Sequence, residues 1–173
     1  MNTNKLKYTD SHDHSLGIVG MAIGLYAYGC GEFLVSLSLK EGQQDFVLSD
    51  DFLNPPININ DPADALETQM EHFKVYCGML FSNYYCRRFV VGRTPAEEDI
   101  QLVEKHLCDI ASKGMGIDVV DARHIAQESQ HNFRQLFGEN MLCVVARALA
   151  NDLHTKKEMR QDEIDDRLSS IFE

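Results

Sequence analysis

The chain has 173 residues, of which 44% are hydrophobic and 25% are charged, and these proportions are typical of a soluble globular protein. A chain of this length predicts a single domain with a sizeable core. Its formal net charge of -11 repels nucleic-acid phosphates, so we exclude direct nucleic-acid binding and expect any charged partner to be basic.

Residues 1–15 are polar and predict a loose arm ahead of the core. His12, Asp13 and His14 stand side by side in this arm, and two histidines with a nearby acid can ligate a divalent metal. A polar terminus without a metal explains the same residues, and we favour this simpler interpretation.

A run of sixteen residues without a charge, 16–31, follows the arm. A membrane-spanning helix needs about 20 apolar residues, and the acids Asp10 and Asp13 ahead of the run do not suit a signal peptide. We therefore expect a buried helix and keep membrane attachment as a minor alternative.

Small residues recur along one face of this predicted helix, at alternating steps of three and four. Because a glycine inside a helix costs about 1 kcal/mol relative to alanine, such a stripe indicates that another helix packs closely against it. The partner is either the central helix of the same chain, which we favour, or a second copy across a dimer axis. The stripe consists of Gly17, Gly20, Gly24, Ala27 and Gly31.

The hydrophobic pattern changes after the glycine stripe. Apolar residues at Phe33, Val35, Leu37 and Leu39 are two residues apart, which argues for a strand. The chain can turn after Leu39 and return as a short second strand, so we predict a small β-hairpin near residues 32–48. A helix that continues through Leu39 is the alternative.

The segment 41–73 contains eight acidic residues and neither lysine nor arginine. This acid-only segment predicts a docking surface for a basic partner. A solvated loop that leads into a helix also explains the pattern, because acids suit the start of a helix. From the sequence alone we favour the solvated loop.

A long central helix is predicted from Asp61 to Val91. Asp61 can cap this helix and Pro62 suits its first turn. Beyond Val75 the apolar residues spread around most of the helix, which is typical of a helix that other helices surround. The first apolar stripe consists of Leu66, Met70, Phe73, Cys77, Leu80 and Tyr84.

Three further helices follow. Thr94 and Glu97 have the spacing of a capping box, and the helix that they begin should stop at Gly114. Asp118 can cap the next helix, which should end at Gly138. A third helix reaches about residue 154. We predict that its inner face consists of Met141, Leu142, Val145, Ala148 and Leu149.

Four potential metal ligands lie on one face of the helix that follows Asp118. Asp121, His124, Glu128 and His131 are spaced by three, four and three residues, and Glu-x-x-His is the unit that helical bundles use to bind a pair of metal ions. The apolar residues of this helix lie almost opposite, so we expect the four polar side chains to face solvent.

The five cysteines are scattered and form no Cys-x-x-Cys pair, a pattern that indicates free thiols in a reducing compartment and hence the cytoplasm. We predict a mainly α, single-domain helical bundle of about six helices. The core spans 16–155, and the charged segment 156–173 forms a helix that is weakly docked or forms oligomers.

For the function, we predict a non-catalytic acidic interaction protein: an adaptor, an inhibitor or an immunity-type subunit. It binds a protein partner, which the charge favours as basic, forms homo-oligomers and needs no cofactor. The alternative is a helical-bundle metalloprotein that uses Asp121, His124, Glu128 and His131 with carboxylates from the central helix. The sequence contains no motif that assigns a catalytic residue.

Overall fold

The computed structural model describes residues 7–55, 62–138 and 140–172, and it confirms a mainly α fold with a small β-hairpin. The helices are α1 (Ser11–Ala27), α2 (Asp50–Leu53), α3 (Pro62–Phe89), α4 (Glu97–Ile110), α5 (Val119–Gly138), α6 (Asn140–Lys156) and α7 (Gln161–Phe172). The strands are β1 (Leu34–Ser38), β2 (Phe46–Leu48) and β3 (Glu158–Arg160).

Helix α3 is the centre of the fold, because α1 and α5 both pack against it. Phe73, Val75, Cys77 and Met79 are all buried, and residues two apart lie on nearly opposite sides of a helix, as expected for a helix enclosed by others. Leu66, by contrast, is exposed, so the predicted stripe starts too early. The predicted cap, Asp61, lies outside the described residues.

The glycine stripe of α1 packs against α3 of the same chain, which confirms the favoured prediction. A Cβ atom built on Gly20 would lie 2.8 Å from the Cα atom of Asn83. One built on Gly24 would lie 2.6 Å from the carbonyl oxygen of Gly78. The two backbones therefore approach as closely as small residues permit, and the stripe is occupied within the chain.

Helix α1 begins at Ser11, earlier than predicted. Residues 11–15 therefore belong to the helix and not to the predicted loose arm of residues 1–15. The Asp10 carboxylate caps the helix and accepts hydrogen bonds from the backbone amides of His12 and Asp13. The first part of the uncharged run, from Leu16 to Tyr26, then lies largely buried inside the bundle. No helix in the described part of the chain is long and apolar enough to cross a membrane.

The predicted hairpin is present, with Leu34 of β1 opposite Leu48 and Leu37 opposite Phe46 of β2. The sequence did not indicate the third strand, β3, which pairs antiparallel with β1 so that Leu37 lies opposite Met159. Three residues inside a charged segment are too few to show an alternating pattern. Pairing with β1 is a long-range contact that local sequence does not reveal.

Helix α7 packs on the rest of the chain through its thin apolar stripe. Ile164 and Leu168 are fully buried, and α7 contacts α1 and β1. An ion pair of 2.5 Å between Arg167 and Asp152 joins α7 to α6. The apolar stripe of α7 is thus covered within the chain.

The start of α4 differs from the prediction, because its N-cap is Ala96 and no side chain caps it. The capping box of Thr94 and Glu97 was therefore wrong. The Ala96 amide instead donates a 3.0 Å hydrogen bond to the hydroxyl of Tyr84 on α3. The predicted cap of α5 is confirmed, since the Val120 amide donates to the Asp118 carboxylate at 2.7 Å.

The prediction for the inner face of α6 was wrong for two of its five residues. Met141 is 71% exposed and Ala148 is also exposed, although both were assigned to the core. Helix α6 is apolar on most sides, so its pattern alone does not decide which side packs against α1. The residues that are buried are Leu142, Ala146, Leu149, Ala150 and Leu153.

Candidate functional site

The predicted metal-binding face of α5 is exposed to solvent, as the sequence indicated. Asp121, His124, Glu128 and His131 are all exposed, while the opposite face of α5 packs against α3. Among the described residues, no three potential ligands come close enough together to hold a metal ion. The four side chains share a face of one helix without a second element to complete a site.

His12, Asp13 and His14, the other predicted metal ligands, each contact a different residue. Asp13 binds the guanidinium of Arg87, and the His14 Nε2 atom lies 2.9 Å from the Asp45 carboxylate. The His12 ring meets His154 edge to face, with 6.2 Å between the ring centroids. The three neighbours in sequence therefore have three different partners and do not converge on one point.

The acid-only segment borders a cavity of about 470 Å³, which we call the acidic cavity. It lies between the C-terminal end of α1, the short helix α2 and the first half of α3. Its volume is in the range of cavities that hold small ligands or inserted side chains. The described residues that line it are Tyr28, Cys30, Phe33, Asp51, Phe52, Pro55, Glu71, His72 and Val75.

Aromatic contacts form the walls of the acidic cavity. The Phe52 ring lies between Phe33, at a centroid distance of 5.6 Å, and His72, at 4.6 Å. These contacts attach α2 to both the hairpin and α3. On the opposite wall, the Tyr28 hydroxyl shares a 2.9 Å hydrogen bond with the Ser129 hydroxyl of α5. The walls are therefore positioned by four different elements.

The charge of the acidic cavity is negative. Asp51 and Glu71 are exposed at its rim, and its described lining includes neither lysine nor arginine. Burial lowers the pKa of His72, so its imidazole is neutral at pH 7. One cation lies nearby, because the Lys74 Nζ atom is 5.9 Å from the centroid of the Tyr28 ring. Aromatic faces beside two carboxylates are suited to a cationic ligand.

The cysteine in this cavity is not activated as a nucleophile. Burial raises the pKa of the Cys30 thiol, and the nearby carboxylates of Glu32 and Glu71 raise it further. Cysteine attacks as the thiolate, which needs a lowered pKa and a cationic neighbour, and the neutral His72 does not supply that charge. The chemistry of the cavity therefore favours binding over covalent catalysis.

Only the run of acids indicated this cavity in the sequence. Its aromatic walls come from Tyr28, Phe33 and Phe52, which belong to three separate segments, so no motif joins them. Comparisons with protein-family models, with curated proteins and with solved structures found no match for this chain. Its function is therefore inferred from the chemistry of its own side chains.

Proposed function

We propose that this protein is a non-catalytic interaction protein, such as an adaptor, an inhibitor or an immunity-type subunit, that binds a basic protein partner. The observation that carries the proposal is the acidic cavity beside the acid-only segment. A lysine or arginine side chain of the partner enters this cavity. The five free thiols support the cytoplasm as the place where this happens.

The cavity can accommodate both parts of a long cationic side chain. The apolar stem packs against Phe33, Phe52 and Val75, while the charged head pairs with Asp51 and Glu71. Lysine and arginine commonly bury their stems in this way and keep their heads near water. A cation over an aromatic face contributes about 0.5–2 kcal/mol, depending on how far it is desolvated. The exposed acids around the rim add electrostatic steering, which raises the association rate.

The proposal is tested by binding a labelled hexa-arginine peptide and measuring its fluorescence anisotropy. The double variant Asp51→Asn/Glu71→Gln removes two charges from the cavity rim. The matched control Asp121→Asn/Asp166→Asn removes two exposed charges from α5 and α7, away from the described lining of the cavity. We expect the cavity variant to weaken binding by about tenfold, the effect of losing one to two charge-assisted contacts. The control should change the affinity much less.

Equal loss of affinity in the two double variants would contradict the proposal, because it would mean that the peptide senses only the net charge. High salt provides an internal check. Diffuse attraction between exposed charges is screened strongly by salt, whereas binding inside an aromatic cavity retains its apolar component. Part of the wild-type affinity should therefore persist at high salt, and its complete loss would show that diffuse charge attraction alone holds the peptide.

Self-association is the second part of the proposed function, and an apolar stripe on α6 supports it. Met141 and Val144 are 71% and 64% exposed, and Ala148 extends the stripe by one turn. The segment 119–156 contains four acidic and four basic residues, so two copies would meet here without a net charge repulsion. We propose that a second copy covers this α6 stripe.

The metalloprotein alternative requires ligands from a second element. His124 and Glu128 would need carboxylates or histidines that face them, and within the described residues none are grouped with them. We therefore place this function second.

A further inference from the structure

A second large cavity lies on another part of α3 and has the opposite charge. Its volume is about 520 Å³, and it lies between α1, the C-terminal half of α3 and α4. The gap exists because α4 packs chiefly against α5 and only sparsely against α3. We call it the basic cavity. Its described lining is Lys7, Tyr8, Met21, Leu80, Asn83, Tyr84, Arg87, Val103 and His106.

The charged residues of this lining are all basic, and a histidine lies beside them. Lys7, Arg87 and His106 border the cavity, and no carboxylate is among the described residues that line it. This is unexpected in a chain whose net charge is -11. The charge of Arg87 is balanced by Asp13, which is not among the described residues that line the cavity. The ammonium group of Lys7 is therefore the main charge that a ligand would meet at this end of the cavity.

The backbone of Lys7 is anchored at the cavity, since its carbonyl oxygen accepts a 2.9 Å hydrogen bond from Arg87. The neighbouring Tyr8 is fixed as well, because the Asn83 amide donates to the Tyr8 hydroxyl at 2.8 Å and to the Gly17 carbonyl at 2.9 Å. The Arg87 guanidinium lies over the Tyr8 ring, 4.7 Å from its centroid. The polar end of the cavity is thus held in place by contacts to α1 and α3.

The Tyr8 hydroxyl has a proton to donate. Its oxygen accepts from Asn83, and among the described residues no acceptor takes its proton. Burial raises the pKa of Tyr8, so the hydroxyl remains protonated at neutral pH. A hydroxyl donor next to an ammonium group is an arrangement that suits a carboxylate.

The rest of the cavity is apolar. Met21, Leu80 and Val103 form its walls together with the ring of Tyr84. The Tyr84 hydroxyl points to other partners, because it accepts from the Ala96 amide and donates to the Asp99 carboxylate at 3.2 Å. Cavities with apolar walls, a few fixed polar groups and this volume are typical sites for small ligands.

We propose that the basic cavity binds an amphipathic monocarboxylate. The carboxylate accepts hydrogen bonds from the Tyr8 hydroxyl and the Lys7 ammonium group, and the apolar body of the ligand packs against Met21, Leu80 and Val103. The site is separate from the acidic cavity and does not depend on the function proposed above.

The test uses three probes that share one alkyl chain and differ only in the head group: decanoate, decanol and decylamine. Each is titrated into the full-length protein by isothermal titration calorimetry, below its micellar concentration. We expect decanoate to bind about tenfold more tightly than decanol, which corresponds to one charge-assisted interaction. Decylamine should bind more weakly than decanol. Equal affinities for the three probes would overturn the proposal.

Variants locate the binding. Lys7→Gln and Tyr8→Phe each remove one head-group contact and should weaken decanoate binding by about tenfold without affecting decanol. The matched control Lys113→Gln changes an exposed lysine elsewhere and should bind decanoate like the wild type. If Lys113→Gln weakens binding as much as Lys7→Gln, the carboxylate senses only net charge and the proposal fails. Met21→Trp fills the cavity and should abolish binding of both decanoate and decanol; retained binding would also refute the site.

Discussion

The guanidinium of Arg87 holds both carboxylate oxygens of Asp13. Its Nε atom donates to Oδ1 at 2.8 Å and its Nη2 atom donates to Oδ2 at 2.6 Å. The side chains of Arg87 and Asp13 are only 5% and 17% exposed. The pair joins the first turn of α1 to the end of α3, and it also fixes the polar end of the basic cavity.

Asp13→Asn should lower the free energy of unfolding by about 3 kcal/mol, because it removes the negative charge from a largely buried ion pair and weakens the two hydrogen bonds that join it. Urea denaturation at neutral pH measures this loss. Asp121→Asn is the control, since Asp121 is exposed and its replacement should change the free energy by less than about 0.5 kcal/mol. A loss for Asp13→Asn as small as that of the control would show that the pair contributes little.

The same pair predicts how stability depends on pH. Burial alone would raise the pKa of Asp13, but the hydrogen bonds and charge of Arg87, with further hydrogen bonds from Thr9, outweigh burial and hold the pKa below its usual value. A group whose pKa is lowered on folding stabilises the protein above its unfolded pKa, about 3.9 for aspartate, and loses that contribution as the pH falls through the folded pKa. The stability difference between wild type and Asp13→Asn should therefore be full at neutral pH and shrink below about pH 4. A difference that stayed constant in acid would contradict this assignment.

Gly24→Ala should destabilise the protein by about 2 kcal/mol, because the added Cβ atom would lie 2.6 Å from the Gly78 carbonyl oxygen and force α1 away from α3. Thermal and urea unfolding both measure this effect. Gly114→Ala is the matched control, since nothing lies within 4 Å of its Cβ position. Helix propensity favours alanine over glycine by about 1 kcal/mol, so Gly114→Ala should not destabilise the protein. Equal destabilisation at the two positions would contradict the assignment of the effect to the contact between α1 and α3.

Leu168→Ala tests how firmly the C-terminal helix is attached. Leu168 is fully buried, so we expect a loss of about 2–5 kcal/mol in the free energy of unfolding, as for other buried leucines. A weakly docked helix would instead lose less than about 0.5 kcal/mol. Chemical denaturation followed by circular dichroism separates these outcomes, and a separate early transition for α7 would also indicate weak docking.

Val144→Asp should lower the average mass of the protein in solution if a second copy covers the α6 stripe. Size-exclusion chromatography with light scattering, at several protein concentrations, measures this mass. Val120→Asp is the control, because Val120 is 74% exposed but lies in the first turn of α5, outside the stripe. A wild-type protein that is monomeric at every concentration would rule out this mode of self-association.

His131→Ala tests the metalloprotein alternative. Because His131 is exposed, we expect the variant to unfold within about 0.5 kcal/mol of the wild type and zinc or iron to change neither melting curve. Native mass spectrometry of untagged protein is the direct measurement. A stoichiometric metal ion that is present in the wild type and lost in His131→Ala would establish the alternative and refute this prediction.

Structural features were predicted correctly from the sequence where a local pattern is compatible with only one structure. The glycine stripe required a helix backbone close by, and Gly24 indeed meets Gly78. The alternation from Phe33 to Leu39 predicted a strand, and Asp118 was recognised as a cap because capping involves only neighbouring amides. At α6 the pattern was apolar on too many sides to have one solution, and Met141 was therefore placed in the core.

The candidate sites depended on contacts between segments that are distant along the chain. Only the run of acids indicated where the acidic cavity lies, and no pattern indicated that Phe33, Phe52 and His72 form its walls. The basic cavity had no sequence signal, because Lys7 and His106 are 99 residues apart and neither belongs to a motif.

The sequence by itself determined the helical class of this protein, its acidic surface and the close contact of its first helix with the central one. These features follow from periodicity, composition and side-chain size, which act locally. Only the tertiary structure decided which face of α6 is exposed, that β3 completes the sheet and that α3 carries an acidic and a basic cavity. Those features depend on how whole helices pack. Packing depends on the summed burial of many side chains from distant segments, so no single stretch of sequence determines it.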